Sequence, residues 1–206
     1  MMREATGKVA AWLGIAAGLA GIEHGYFEIL QGGARPESLM IASMGTPCIP
    51  EQAWNRCEPA LTLLPTFLVT GIAALILGLV ILVWSAAFLR RKSGSWILMG
   101  LCGALLVCGG GFFPPLIGLV GGLCGLAIHK PLDTGAPGKF IAFAAKIWPW
   151  PLALLMVWLV NQFTVGYFFN DFLQRFMAFG VVLILLLLPL SVLVAYAHDR
   201  ARQGAR

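Results

Sequence analysis

From Leu61 to Leu89 the chain carries no charged side chain, and it then stops abruptly at Arg90-Arg91-Lys92. A run that long and that apolar has one stable form in a membrane, a helix, because only a helix pairs all of its own backbone donors and acceptors inside lipid. The basic triplet marks its cytoplasmic end, since cytoplasmic loops collect Lys and Arg. Composition points the same way, with 59% hydrophobic and 11% charged residues and a mean hydropathy of +0.86, outside the soluble globular range. The expected fold class is therefore an all-α integral membrane bundle, a single polytopic domain over residues 1–206.

About six membrane segments are expected, at residues 8–30, 61–89, 95–111, 116–128, 151–169 and 172–197, with residues 31–60 forming an external loop. Arg3 and Lys8 ahead of an apolar run could pass for a secretory signal, but the run continues past Ala20 to Leu30, the length of a spanning helix. Phe112-Phe113-Pro114-Pro115 breaks the third segment, and the return leg from Leu116 to Ile128 is only roughly 20 Å long at helical rise. Segments 3 and 4 thus read as a short Gly/Pro-broken hairpin, either tight or partly re-entrant. The external loop, punctuated by Gly32-Gly33, Pro36, Pro47, Pro50 and Pro59, reads as turns without a regular element.

On this layout eleven of the fourteen Lys and Arg residues fall inside, and only Arg35, Arg56 and Arg175 fall outside. That bias places both termini in the cytoplasm. Trp12, Trp84, Trp96, Trp148 and Trp150 all land near the inner boundary, as an aromatic belt should. The expected location is the cell membrane. A short helical bundle with an acidic, His-bearing first helix and a Gly-Gly-Gly-Phe-Phe-Pro-Pro hairpin resembles prokaryotic membrane proteins, and that resemblance implies no function.

The chemical signal is concentrated in the first helix. Gly14, Gly18, Gly21 and Gly25 form a small-residue stripe that lets a neighbouring backbone come close. His24 and Glu28 lie beside it, whereas Glu23 points to nearly the opposite side and needs a partner of its own or a proton. Ionisable groups at that depth are costly, so they mark a functional site by default. Helical rise puts Thr66, Thr70, Asn161 and Gln162 in the same layer, roughly 7 to 13 Å below the outer helix ends. Arg175 stands just above it as the natural counter-charge for Glu28 or Glu23.

Two readings follow for this layer. One is an outward-open polar pocket between the first, second, fifth and sixth helices that holds a small polar or cationic ligand, a metal or a proton. The other is an interhelical hydrogen-bond cluster that locks the bundle and binds nothing. A metal centre is not expected, because there is no second His at that depth and no HxxxH or ExxH spacing. His129 and His198 fall at the inner boundary, where imidazoles at helix ends are ordinary. No motif implies a cofactor.

Cys48 and Cys57, in the external loop, are expected to form a disulfide. Cys102, Cys108 and Cys124 read as small apolar core residues. A quinone-linked thiol oxidoreductase would need a CxxC pair, and an intramembrane serine protease a Ser in a Gly-rich elbow facing a His; neither occurs. Without a basic run or interleaved aromatics, nucleic acid is not an expected partner. The expected function is a small transport or ligand-binding protein, or a packing subunit of a homo-oligomer or larger membrane complex. The alternative is a membrane enzyme using Glu23, His24 or Glu28 for proton transfer.

Overall fold

The computed structural model describes residues 3–42, 58–132, 135 and 137–204. It is predominantly helical. In chain order the elements are α1 (Glu4–Leu30), β1 (Met40–Ala42), β2 (Pro59–Leu61), α2 (Phe67–Ala87), α3 (Gly94–Val107), α4 (Phe113–Gly125), α5 (Lys139–Lys146), α6 (Trp150–Phe168), α7 (Asn170–Arg175) and α8 (Met177–Gly204). Among the described residues α1, α2, α6 and α8 are long and apolar enough to cross a membrane. Their outward faces carry exposed Ile72, Ile76, Val83, Val157, Leu185 and Leu186, apolar surfaces suited to lipid acyl chains.

Helix α1 is the axis of the bundle. It packs most extensively against α2 and α4 and more lightly against α8 and α6. The α1–α2 contact is backbone on backbone. A Cβ placed on Gly18 would lie 2.7 Å from the Gly78 carbonyl oxygen, and one on Gly25 would lie 2.6 Å from that of Gly71. The converse holds for Gly78 against Gly18, also at 2.7 Å. Two glycine pairs, each two helical turns apart, thus meet antiparallel, and no larger residue fits at the crossing. On another face of α1, Ala10, Leu13 and Ala17 pack against Gly118 and Gly121 of α4.

Helices α3 and α4 have 14 and 13 residues, roughly 20 Å each. Their connecting turn holds Gly109 at φ +88° and Gly111 at φ +73°, left-handed conformations that favour glycine. Turn residues lengthen the hairpin at both ends. Ile128, beyond α4, accepts from the Arg3 backbone N–H, and Gly109 packs on Glu28, so the hairpin lies alongside α1 from Arg3 to Glu28. Pro114 and Pro115 sit inside the first turn of α4, where a missing N–H costs nothing, so the helix begins at Phe113, earlier than the prolines suggest.

The outer loop departs from expectation. Instead of turns alone, β1 and β2 form an antiparallel pair in which Ile41 faces Ala60. Leu61, expected to open the second helix, belongs to β2, and α2 begins at Phe67. The physical cause is local: Pro65 disfavours helix before it, and the Thr66 hydroxyl accepts from the Val69 N–H as an N-cap. The ribbon is tied to the α3–α4 turn by Gly109 N–H to the Leu61 carbonyl at 2.8 Å and Leu63 N–H to the Val107 carbonyl at 3.1 Å. Cys48 and Cys57 lie outside the described residues. The outer turn expected at Asn170 and Asp171 is a short helix, α7.

At the opposite end the two chain ends meet. The Asp199 carboxylate of α8 accepts from the Ala5 N–H (2.9 Å), the Thr6 N–H (2.9 Å) and the Thr6 hydroxyl (2.7 Å), capping α1 from outside its own sequence. Arg3 donates to the Lys130 and Pro131 carbonyls and stacks over the Tyr196 ring. Helix α5 packs on α8, leaving Phe140 and Phe143 exposed.

Candidate functional site

His24 and Glu28 follow each other by one turn on the buried side of α1 and are 1% and 0% exposed. The triple-glycine turn is pressed onto both. A Cβ on Gly109 would lie 2.5 Å from Glu28 Oε2, and one on Gly111 would overlap the His24 ring at Nε2, so only glycine leaves room for these side chains. Neither ring nitrogen of His24 and neither carboxyl oxygen of Glu28 has a hydrogen-bond partner among the described residues. An uncompensated charge in such a position costs several kcal/mol, of order ~3–5. Beside Glu28, the Thr62 and Thr70 hydroxyls bond each other at 2.8 Å, and the Thr70 methyl fills the space against Gly109.

The contact that reaches His24 comes from the β1–β2 ribbon. Glu58, just before β2, brings Oε2 to 3.5 Å from His24 Nε2, with its side chain 18% exposed. Burial pushes the Glu58 carboxyl up to about 7.

His24, Glu58, Glu23 and Gln162 share one end of a cavity of about 200 Å³. Its floor is α1, from Trp12 through Ala16 and Ala20 to His24, roughly 18 Å of helix. Phe113, Pro114 and Ile117 of α4 form one wall, and Met156, Leu159 and Phe163 of α6 with Met177, Val181 and Ile184 of α8 form the other. Apart from the four polar residues at that end, the walls are apolar, with Trp12 at the far end. No lysine or arginine lines it among the described residues.

This arrangement differs from the expected pocket in three respects. The second helix takes no part, because the glycine contacts bring α2 against the other side of α1; α4 occupies its place. The interior is mainly apolar. Glu23, expected to face away from His24 toward a separate partner, lines the same cavity, because the opening wraps around α1.

Of the candidate residues, Glu23, His24 and Gln162 are brought together, and Glu28 and Thr70 lie together behind His24 under the glycine turn. Thr66 caps α2, Asn161 is exposed on α6, and Arg175 is exposed on α7 among Tyr167, Asn170, Asp171 and Phe172. Arg175 is therefore not the counter-charge of the buried acids: α7 turns it away from α1. Glu58 was not foreseen. The signal that points to it is an acid immediately before the strand residues Pro59-Ala60-Leu61, which fold back over the bundle.

Comparison with family models, with curated proteins and with solved structures finds no match for this chain.

Proposed function

We propose that this chain is a membrane-embedded ligand-binding or transport protein, and that the cavity beside α1 takes a slender lipophilic molecule whose polar head reaches Glu23, His24, Glu58 and Gln162. One observation carries this reading: a long apolar cavity that ends on ionisable side chains, two of them on the central helix. Ligand sites combine an apolar body with a few convergent polar groups. In this reading the chain has six segments, with α3 and α4 as a full-depth hairpin, since they cover the same length of α1 that crosses the bilayer. The Lys and Arg distribution supports cytoplasmic termini.

The test is to fill the cavity. Ala20→Phe puts a ring into the floor without touching the α1–α2 glycine contacts. Native mass spectrometry of the wild-type protein should show a retained small molecule, and the variant should lose it while staying monodisperse. Equal retention by both, or none by the wild type, overturns the reading.

A further inference from the structure

We infer that a groove between α4 and α8, separate from the cavity beside α1, holds an acyl chain of one membrane phospholipid, and that Arg3 and Lys130 bind its phosphate where the two chain ends meet. The groove has a volume of about 550 Å³ and opens to lipid between Leu123 and Leu193, both exposed. Val120, Leu123 and Ala127, on α4 and the turn after it, form one side. Pro189, Leu193 and Tyr196 of α8 form the other, over roughly 10 Å of helix. Thr6 and Cys124 reach the floor with their polar groups already engaged. The Thr6 hydroxyl donates to Asp199 at 2.7 Å, and the Cys124 thiol donates to the Thr6 carbonyl at 3.6 Å. The body of the groove therefore suits an apolar chain.

The walls alone select no particular molecule, because lipid tails are as apolar as leucine side chains. Selection comes from the polar end. There the Arg3 guanidinium stacks over the Tyr196 ring, 5.1 Å from its centroid. Two carbonyls beyond α4 fix its direction: Nε donates to Lys130 at 3.1 Å and Nη2 to Pro131 at 2.9 Å. Nη1 is left without a hydrogen-bond partner among the described residues, and the Lys130 side chain beside it is exposed. The acids at this end are engaged elsewhere, Asp199 by the Ala5 and Thr6 N–H groups and Glu4 by Arg202 at 3.6 Å. An oriented guanidinium next to an ammonium group is the donor set that phosphate oxygens take, and it stands where a lipid with its chain in the groove carries its phosphate. A helix from a second copy, about 10 Å across and with its backbone groups already paired, would leave those donors unanswered.

The experiment titrates the full chain in detergent with dioleoylphosphatidylglycerol and counts bound lipid by native mass spectrometry. Diolein, with the same chains and no phosphate, is the comparison. Both titrations are repeated in Ala20→Phe, which fills the cavity beside α1. One phospholipid per chain should be retained in either background, and diolein should bind at least about tenfold more weakly. Arg3→Gln should weaken phospholipid binding about tenfold or more, and Lys130→Gln about twofold to fivefold. Arg3 also ties α1 to the end of α4, so Lys130→Gln, which alters an exposed side chain, reads the phosphate contact if Arg3→Gln fails to fold. Leu193→Trp, and Ala127→Phe from the opposite wall, should each expel the lipid while the protein stays monodisperse.

Equal binding of the phospholipid and diolein overturns the assignment of phosphate. Undiminished binding to both groove-filling variants, or no phospholipid retained by the wild type, overturns the site. Phospholipid kept by the wild type but lost in Ala20→Phe belongs to the cavity beside α1; that result overturns this site and supports the ligand-binding reading. A lipid-free dimer that Leu193→Trp dissociates makes a second copy the occupant and likewise overturns the inference.

Discussion

Gly25→Ala should be one of the most damaging single-methyl additions in the protein. The new Cβ would stand 2.6 Å from both the Gly71 carbonyl oxygen and the Leu75 amide nitrogen of α2. Both are backbone atoms, so no side chain can rotate aside. Ordinary contact begins at 3.4 Å, and reaching it requires the helices to part locally by about 0.8 Å, a gap that forfeits roughly a quarter to a half of the dispersion energy of each affected contact. Overpacking of this kind costs about 1–3 kcal/mol, and two simultaneous backbone clashes put this site at the upper end. Alanine returns about 1 kcal/mol of helix propensity. The expected net loss is about 2 kcal/mol.

Gly100→Ala is the matched control. Nothing lies within 4 Å of its Cβ position on α3, so the same chemical change should leave stability unchanged or raise it by up to about 1 kcal/mol. Reversible unfolding in mixed micelles by increasing dodecyl sulfate measures both. Equal shifts for the two variants, within about 0.5 kcal/mol, would refute the claim that backbone contact holds α1 to α2. Gly18→Ala combined with Gly25→Ala should cost less than the two separately, because the first substitution has already opened the seam.

Asp199→Ala strands three buried donors at the start of α1 and should cost about 2–4 kcal/mol in the same unfolding assay, with Asp199→Asn losing about half as much; no change with Ala would mean the clasp carries no stability. The raised carboxyl of Glu58 sets a pH dependence. Between the ordinary carboxyl value of 4.5 and about 7 the folded state holds more protons than the unfolded state, so this group's stabilising contribution is complete below 4.5 and is lost as pH rises toward 7. The difference between wild type and Glu58→Gln should therefore change by at most about 3 kcal/mol across that window, and a difference that stays constant with pH would refute the buried placement of Glu58.

Much of the scaffold was legible because the bilayer enforces it. Most of the uncharged run before Arg90, from Phe67 to Ala87, is the expected helix, and the stripe Gly14, Gly18, Gly21, Gly25 indicated a close-packed face on α1. What periodicity could not supply was the identity of the partner on each face. Gly71 and Gly78 of α2 match Gly25 and Gly18 only once the antiparallel pairing is known, and that pairing then excludes α2 from the cavity. Thr66 misled for a local reason: Thr66 and Thr70, four residues apart, look like one helical face, but Pro65 and the N-cap end that pattern before Thr70. Arg175 failed as a counter-charge because the expected turn at Asn170 and Asp171 is itself a helix, and its rotation sets the direction of the guanidinium. Glu58 was hidden by its setting, since an acid in an external loop gives no sign that a two-stranded ribbon folds it inward over His24.

The charged residues of α1 can be tolerated at this depth because that helix presents a different partner on each side. Gly18 and Gly25 fix it to α2, and Ala10, Leu13 and Ala17 fix it to α4, both at distances that leave no freedom to slide. The α3–α4 turn, pinned to β2, therefore arrives over Glu28 and one side of His24 at a set height, closing that side with backbone instead of side chains. On the remaining side α8 is clasped to α1 at its far end, through Asp199 and through Arg3 stacked on Tyr196. Toward Met177 the α6–α8 pair stands away, and that separation is the cavity. A rigid glycine-packed core with one loosely joined hairpin thus leaves Glu23, His24 and Glu58 as the only ionisable groups that a molecule entering from the lipid side would meet, among the described residues.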